Sequence, residues 1–248
     1  MELQSVPYCG LPPLPAELLQ RFNLDPLLIL ILAGCAVAHL LVVPRAHSRW
    51  PAAAGWLIAA AAFLSPLCAL SVALFSARIA QHMILVLIAA PLIAVSLPAP
   101  ARIPGDHALW ITGSAFFAAL WFWHMPVPYD ATFTSNTLYW LMHTTLFGSA
   151  ILLWRELLNH RAEGTATALC VGALTSMQMG LLGAVLTFAG HPLFVWHLTT
   201  TWPWGLTALQ DQQLGGTLMW VPGIVLFLFA ALRSLSRLWT VLNEGTPA

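Results

Sequence analysis

Apolar runs along the chain are long and recur between short breaks rich in Arg, Pro or Gly. At about 20 residues each, they suit the thickness of a bilayer rather than one face of a soluble helix. They predict transmembrane helices at 26–43, 51–71, 73–97, 108–124, 137–157, 165–188 and 213–232. The second and third runs are nearly continuous, parted only by Ser71, Ser76 and Arg78, so a six-span count with one hairpin variant stays open beside seven. The expected fold is all-α, an integral membrane bundle of seven transmembrane helices forming a single membrane domain over residues 1–248.

Composition narrows the function. The chain is 59% apolar and 7% charged, against roughly 25% charged in soluble domains, which excludes a soluble enzyme. Lys is absent, nine Arg balance nine Asp and Glu, and the net charge is zero. Such a surface offers nothing broad to attract nucleic acid. The partner common to every segment is the lipid bilayer.

Arginine placement orients the bundle, because cytoplasmic loops accumulate basic residues. Arg45, Arg49, Arg102, Arg155, Arg161, Arg233 and Arg237 share one side under the seven-span count, and Arg21 and Arg78 fall on the other. The N-terminus is therefore expected outside and the C-terminus in the cytoplasm, in a multi-pass protein of the cell inner (plasma) membrane. Met1 to Asp25 lacks the basic start, apolar core and small-residue cleavage site of a signal peptide. Trp196, Trp202 and Trp204, in the outer connection Gly190 to Asp211, read as an interfacial belt. No internal repeat is visible, which weakens a transporter reading.

With topology assigned, the histidines sort by depth. His82, His124 and His143 fall in the outer half of the membrane or at its outer surface. His39 lies near the inner end of the first span, and His47, His107 and His160 in cytoplasmic connections. Ionisable groups within spans are costly and usually face a cavity or pathway, which makes His82, His124 and His143 the candidate metal ligands. A hydrogen bond that stabilises the bundle is the alternative. His191 and His197 are expected at the surface.

Six methionines besides Met1, at 83, 125, 142, 177, 179 and 219, also fall in the outer half, and three adjoin the histidines: His82-Met83, His124-Met125 and Met142-His143. Thioether with imidazole suits Cu(I), whereas a hard cation would want carboxylates. Met83, Met125, Met142, Met177 and Met219 are therefore possible additional ligands. Against this, Met commonly fills gaps in apolar cores, and neighbours on a helix point about 100° apart. Cys9, Cys35, Cys68 and Cys170 form no C-x-x-C pair and read as packing residues, with no disulfide framework signalled.

Arg78 lies one helical turn before His82, on the same face. A buried guanidinium needs a partner, and Asp130 and Asp211 are the acids on its side. The sequence favours an Arg78–Asp211 pair, either as a structural ion pair or at the mouth of a site. Gln212, Gly215, Gly216 and Met219 share helical spacing, so a neighbouring helix is expected to approach the glycines closely, with Gln212 and Met219 pointing inward. Pro91 and Pro222 are expected to kink their helices and free a carbonyl.

These residues resemble the CtaG-type, multi-spanning cytochrome c oxidase assembly factors. The likeness rests on Gln81-His82-Met83 running to Ala90-Pro91-Leu92, on Trp123-His124-Met125-Pro126 with Tyr129-Asp130, and on Asp211-Gln212-Gln213 followed by Gly216 and Met219-Trp220. The resemblance implies a seven-helix protein that helps build the copper centre of a haem–copper oxidase, handling Cu(I) for the catalytic subunit. Its implied partners are that subunit and a copper donor protein on the outer side. His82, His124, His143, Asp130 and Asp211 fall on motif positions, while Tyr139 stands where the family pattern often has a further His.

Two other readings remain at this level. A membrane b-type haem protein would use two of the histidines as axial ligands, and a copper transporter would use the methionine row but lacks an inner ligand series beyond His39. No catalytic residue is expected, since no His-Glu-x-x-His, Gly-x-Ser-x-Gly or paired intramembrane carboxylate is present.

Overall fold

In a bilayer core, backbone N–H and C=O groups find no water, so apolar runs of this length satisfy themselves as helix. The computed structural model describes residues 6–43, 49–97, 107–160 and 164–244, and among these there are helices and no strands. Besides three short 3-10 turns at Pro15–Gln20, Val195–Leu198 and Trp202–Trp204, they are in order α1 (Pro26–Val42), α2 (Trp50–Leu64), α3 (Leu67–Ala73), α4 (Phe75–Met83), a π-helical stretch (Ile84–Ala89), α5 (Ala90–Ser96), α6 (His107–Trp123), α7 (Pro126–Ala131), α8 (Asn136–Asn159), α9 (Thr165–Phe188) and α10 (Ala208–Glu244). Arg45, His47, Arg102 and Arg161, which entered the topology argument, lie outside the described residues.

Each predicted segment falls on helix, but length and hydropathy alone qualify fewer as crossings. Phe75–Ser96, Thr165–Phe188 and Ala208–Ser236 are long and apolar enough, and α2 with α3, bent by 48°, makes a fourth if taken as one broken span. The others fall short for visible reasons: α1 and α6 have 17 residues each, and α8 carries Asn136, His143, Arg155 and Glu156 within an apolar sequence.

Local chemistry sets several helix starts. The Asp25 side chain accepts from Leu27 N at 2.9 Å with Pro26 in the first turn of α1, and Ser135 accepts from Leu138 N at 3.3 Å to start α8. Both satisfy backbone donors that a helix start leaves over. At the start of α4 the residue in the cap position is Leu74, in extended conformation with φ −124° and ψ 132°, and it has nothing to offer. A distant residue fills that role. The Asp211 carboxylate on α10 accepts from Phe75 N at 2.6 Å, from Ser76 N at 3.1 Å and from the Ser76 hydroxyl.

This overturns the expected Arg78–Asp211 ion pair. Asp211 is consumed by the N-terminus of α4, where its charge also meets the positive end of the helix dipole. Arg21 and Glu17 form an ion pair at 2.7 Å on the surface.

Pro91 frees a carbonyl as expected, in a π-helical setting. The stretch before it is wound as π-helix, its carbonyls paired five residues on, as in Ala90 N to Leu85 O. Pro91 cannot supply the next such donor, and the Val86 carbonyl instead accepts from Trp154 Nε1 on α8 at 2.8 Å. Helix α10 runs on through Pro222 as one helix.

The glycines of α10 do bring helices together. A Cβ at Gly216 would stand 2.6 Å from the Gly183 carbonyl oxygen, and one at Gly183 would stand 2.8 Å from the Gly216 carbonyl oxygen, so the α9 and α10 backbones touch at a reciprocal contact. Gly215 serves α4 likewise, where a Cβ would stand 2.6 Å from Phe75 Cε1. A backbone carbonyl cannot rotate away as a side chain can. Gly216→Ala is therefore expected to destabilise the protein by about 1–3 kcal/mol, the usual cost of overpacking, read as a lower thermal midpoint in detergent. Gly34→Ala, where the added carbon meets nothing within 4 Å, is the matched control.

One end of the bundle is closed by chain from three directions. The segment before α1 turns at Gly10, whose φ of +87° lies in the left-handed region that glycine tolerates, and Asn23 N donates to Leu64 O at 3.0 Å beside the α2–α3 bend. The connection between α9 and α10 lies over the α3–α4 break: Trp196 Nε1 donates to Val72 O at 2.9 Å and the Thr200 hydroxyl to Ala73 O at 2.7 Å. Asp130 on α7 holds the same connection by accepting from Val195 N at 3.0 Å and Trp196 N at 3.3 Å. Thus Trp196 is packed, stacking on Phe133 with centroids 4.5 Å apart, while Trp202 stays exposed.

Candidate functional site

Beneath that closed end, α4, α6 and α8 bring three imidazoles together. His82 is the penultimate residue of α4, His124 follows the last residue of α6, and His143 lies two turns into α8. The His82 ring centroid is 5.6 Å from that of His124 and 5.2 Å from that of His143, with the rings edge to face at 81° and 72°. All three residues are buried. The His82 ring thus adjoins both of the others.

Their hydrogen bonds fix which nitrogen is available. His124 Nδ1 lies 2.7 Å from Leu120 O and His143 Nδ1 lies 2.9 Å from Tyr139 O. A carbonyl only accepts, so Nδ1 carries the proton in each neutral ring and Nε2 presents a lone pair. Neither Nε2 has a partner, and neither nitrogen of His82 has one. An unpartnered buried polar atom costs about 1–3 kcal/mol, and four of them lie on these three adjoining rings. Among the described residues, no group of three or more His, Cys, Asp or Glu stands in metal-holding geometry as it is. No hydrogen bond holds the His82 ring.

The surroundings are aromatic. Tyr139 lies 4.3 Å and Phe63 5.1 Å from the His143 ring, centroid to centroid. One turn from His82, Arg78 is buried in a cage, its guanidinium carbon 4.0 Å from the Phe133 centroid, 5.4 Å from Tyr129 and 5.7 Å from Tyr139. Its Nη1 donates to the Thr132 hydroxyl at 2.7 Å. Cation–π contact and one hydrogen bond therefore hold this charge where a carboxylate was expected. Nothing in the spacing of Tyr129, Phe133 and Tyr139 announced the cage, because they come from α7, the turn after it and α8.

The methionines divide. Met83, Met142 and Met219 are buried in the main apolar core, as is Met179, which packs against Gly223. Met125 and Met177 are 52% and 65% exposed, and Met177 lines a groove of about 510 Å³ between α6 and α9, together with Trp110, Phe117 and Trp121. Gln212 points inward as expected, accepting from Leu193 N at 2.7 Å and donating to Leu186 O at 3.2 Å.

Two further expectations are corrected. His191 is exposed, but His197 is 2% exposed and 2.8 Å from the Tyr129 hydroxyl, held by the aromatic packing of the connection. Cys9 and Cys68 are not separate packing residues. They form a disulfide across 59 residues that ties the N-terminal segment to α3. Cys35 and Cys170 are free and exposed. The pairing had one legible signal: Cys9 precedes the first span and Cys68 ends the second, so the arginine partition puts both on one side.

These features define an integral membrane helical protein with a buried imidazole cluster under one closed end. The sequence profile of the cytochrome c oxidase caa3 assembly factors (Caa3_CtaG) matches residues 36–240. The chain belongs to that family. No curated protein and no solved structure matches it.

Proposed function

We propose that this assembly factor receives Cu(I) as cargo at His82, His124 and His143 and delivers it to the catalytic subunit of a haem–copper oxidase. The observation that carries the reading is the set of four unpartnered imidazole nitrogens on three adjoining rings. Neutral imidazole with a free Nε2 is a donor for a soft or borderline ion, and the absence of any carboxylate among the three donors disfavours a hard one. Met83 and Met142, buried and next to His82 and His143 in sequence, are the thioethers that would assist. Rings 5.2–5.6 Å apart and edge to face favour a small ion over a porphyrin, which needs two imidazoles on opposite faces of a plate.

The reading includes seven membrane spans, with the closed end outside and the C-terminus in the cytoplasm. A disulfide belongs to an oxidising compartment, and Cys9–Cys68 lies at the end that the arginine partition assigns to the outside. A reporter fused after Ala248 is expected to behave as cytoplasmic; activity of a periplasm-only reporter there would overturn the orientation.

Copper analysis of the purified chain tests the cargo. Loaded with Cu(I) and washed with a competing chelator, it is expected to retain copper in nitrogen ligation by X-ray absorption, and the His82→Ala variant to lose it. A Soret band in the purified protein would favour haem instead, and copper flux into liposomes would favour a transporter.

A further inference from the structure

The Cys9–Cys68 disulfide lies directly over the imidazoles, separated from them by one side chain. The Tyr139 hydroxyl is 3.3 Å from Cys9 Sγ and 3.8 Å from Cys68 Sγ, and the ring of the same tyrosine is 4.3 Å from His143. Cys68 is wholly buried, while Cys9 is partly exposed at the closed end, so the pair runs from the surface into the protein. Asn23 Nδ2 donates to Cys68 Sγ at 3.6 Å, giving that sulfur a donor suited to a thiolate. Tyr8 stacks on Tyr139 at 5.0 Å and donates to Asp25 at 2.5 Å, so the segment bearing Cys9 is seated by contacts of its own.

We propose that Cys9 and Cys68, when reduced, form a two-thiolate Cu(I) loading site at the outer face, above the histidine cluster, and that the disulfide is its closed form. Opening follows ordinary thiol exchange. A thiolate of an outer-side dithiol protein attacks the accessible Cys9 sulfur, the S–S bond breaks, and Cys68 leaves as thiolate. The second thiol of the donor resolves the mixed disulfide, so two electrons pass to the Cys9–Cys68 pair and the donor becomes a disulfide. Cu(I) then displaces the thiol protons and is held between two sulfurs, with no change in its oxidation state. Soft thiolate ligands select Cu(I), and Tyr139 and Asn23 supply hydrogen bonds to the sulfurs. Cys9 lies ahead of residues 36–240, outside the stretch that the family profile matches.

This inference rests on the copper-cargo reading, and the test keeps the two apart. The full chain in detergent, with its disulfide intact or reduced by dithiothreitol that is then removed, is loaded with Cu(I) and washed with a competing chelator. Reduction is expected to double the bound copper and to add sulfur ligation by X-ray absorption, and the doubling is expected to vanish in C9S/C68S. The same copper content in both redox states, all of it nitrogen-ligated, would overturn the dithiol site and leave the histidine cargo site standing. No copper in either state would overturn both. The oxidised and reduced wild-type chains give the answer even if the double variant fails to fold.

Discussion

Replacing His82 by Ala is expected to leave the protein inserted in the membrane while active oxidase falls about ten- to a hundredfold at low copper, the range that lost support at a metal site costs. His82 stands between the other two rings, and both of its nitrogens lack partners. Removing it deletes a donor without breaking any hydrogen bond of the fold, so protein level should hold. His124→Ala and His143→Ala should lower oxidase similarly, although each also frees a helix carbonyl, at Leu120 or Tyr139. Raised copper in the medium should ease all three defects. In a haem protein, each substitution would remove an absorbance band that copper cannot restore. Normal oxidase activity in all three variants at low copper would return these histidines to packing residues.

Asp211→Ala should be among the most destabilising single changes, at about 3 kcal/mol, since it strands two buried N–H donors and a hydroxyl at about 1–3 kcal/mol for each one left unsatisfied. The donors are Phe75 N, Ser76 N and the Ser76 hydroxyl, and no residue on α3 or α4 can replace the carboxylate. Asp211→Asn keeps one acceptor oxygen and should recover roughly half of that loss. An ion pair with Arg78 would behave differently, because Asn would abolish the charge and be nearly as harmful as Ala. Thermal midpoints of the two variants in detergent separate the cases. Equal loss in Ala and Asn would bring back the ion pair. Because α4 carries His82 two residues before the π-helical stretch, a loosened α4 start should also weaken the histidine site, so Asp211→Ala should lower oxidase as well as stability.

Depth and periodicity made much of this protein readable without coordinates. Apolar runs long enough for a bilayer can satisfy their backbones only as helix, so the helical segments lay open in the sequence. The convergence of His82, His124 and His143 was legible because topology reduces depth to one coordinate, and three histidines at one depth on three helices have few places to go. The glycines at 215 and 216 announced close approach for the same reason, since small residues at helical spacing leave backbone exposed to a neighbour.

What tertiary structure alone decided are the pairings across distance. Asp211 was expected to meet the Arg78 guanidinium, and composition does not reveal that a distant helix start competes for it. The start of α4 won because Leu74 leaves its donors unmet. Arg78 then had to be stabilised by rings of Tyr129, Phe133 and Tyr139, whose meeting depends on how α7 and α8 pack. His197 was buried by a connection that folds over the α3–α4 break, a contact with no local signal. Cys9 and Cys68 met because the N-terminal segment returns over the α2–α3 bend, and chain separation hides such a return. Local chemistry is written residue by residue along the chain, whereas the partner of a buried charge or thiol is chosen by whichever donor, acceptor or ring the packed helices bring within reach.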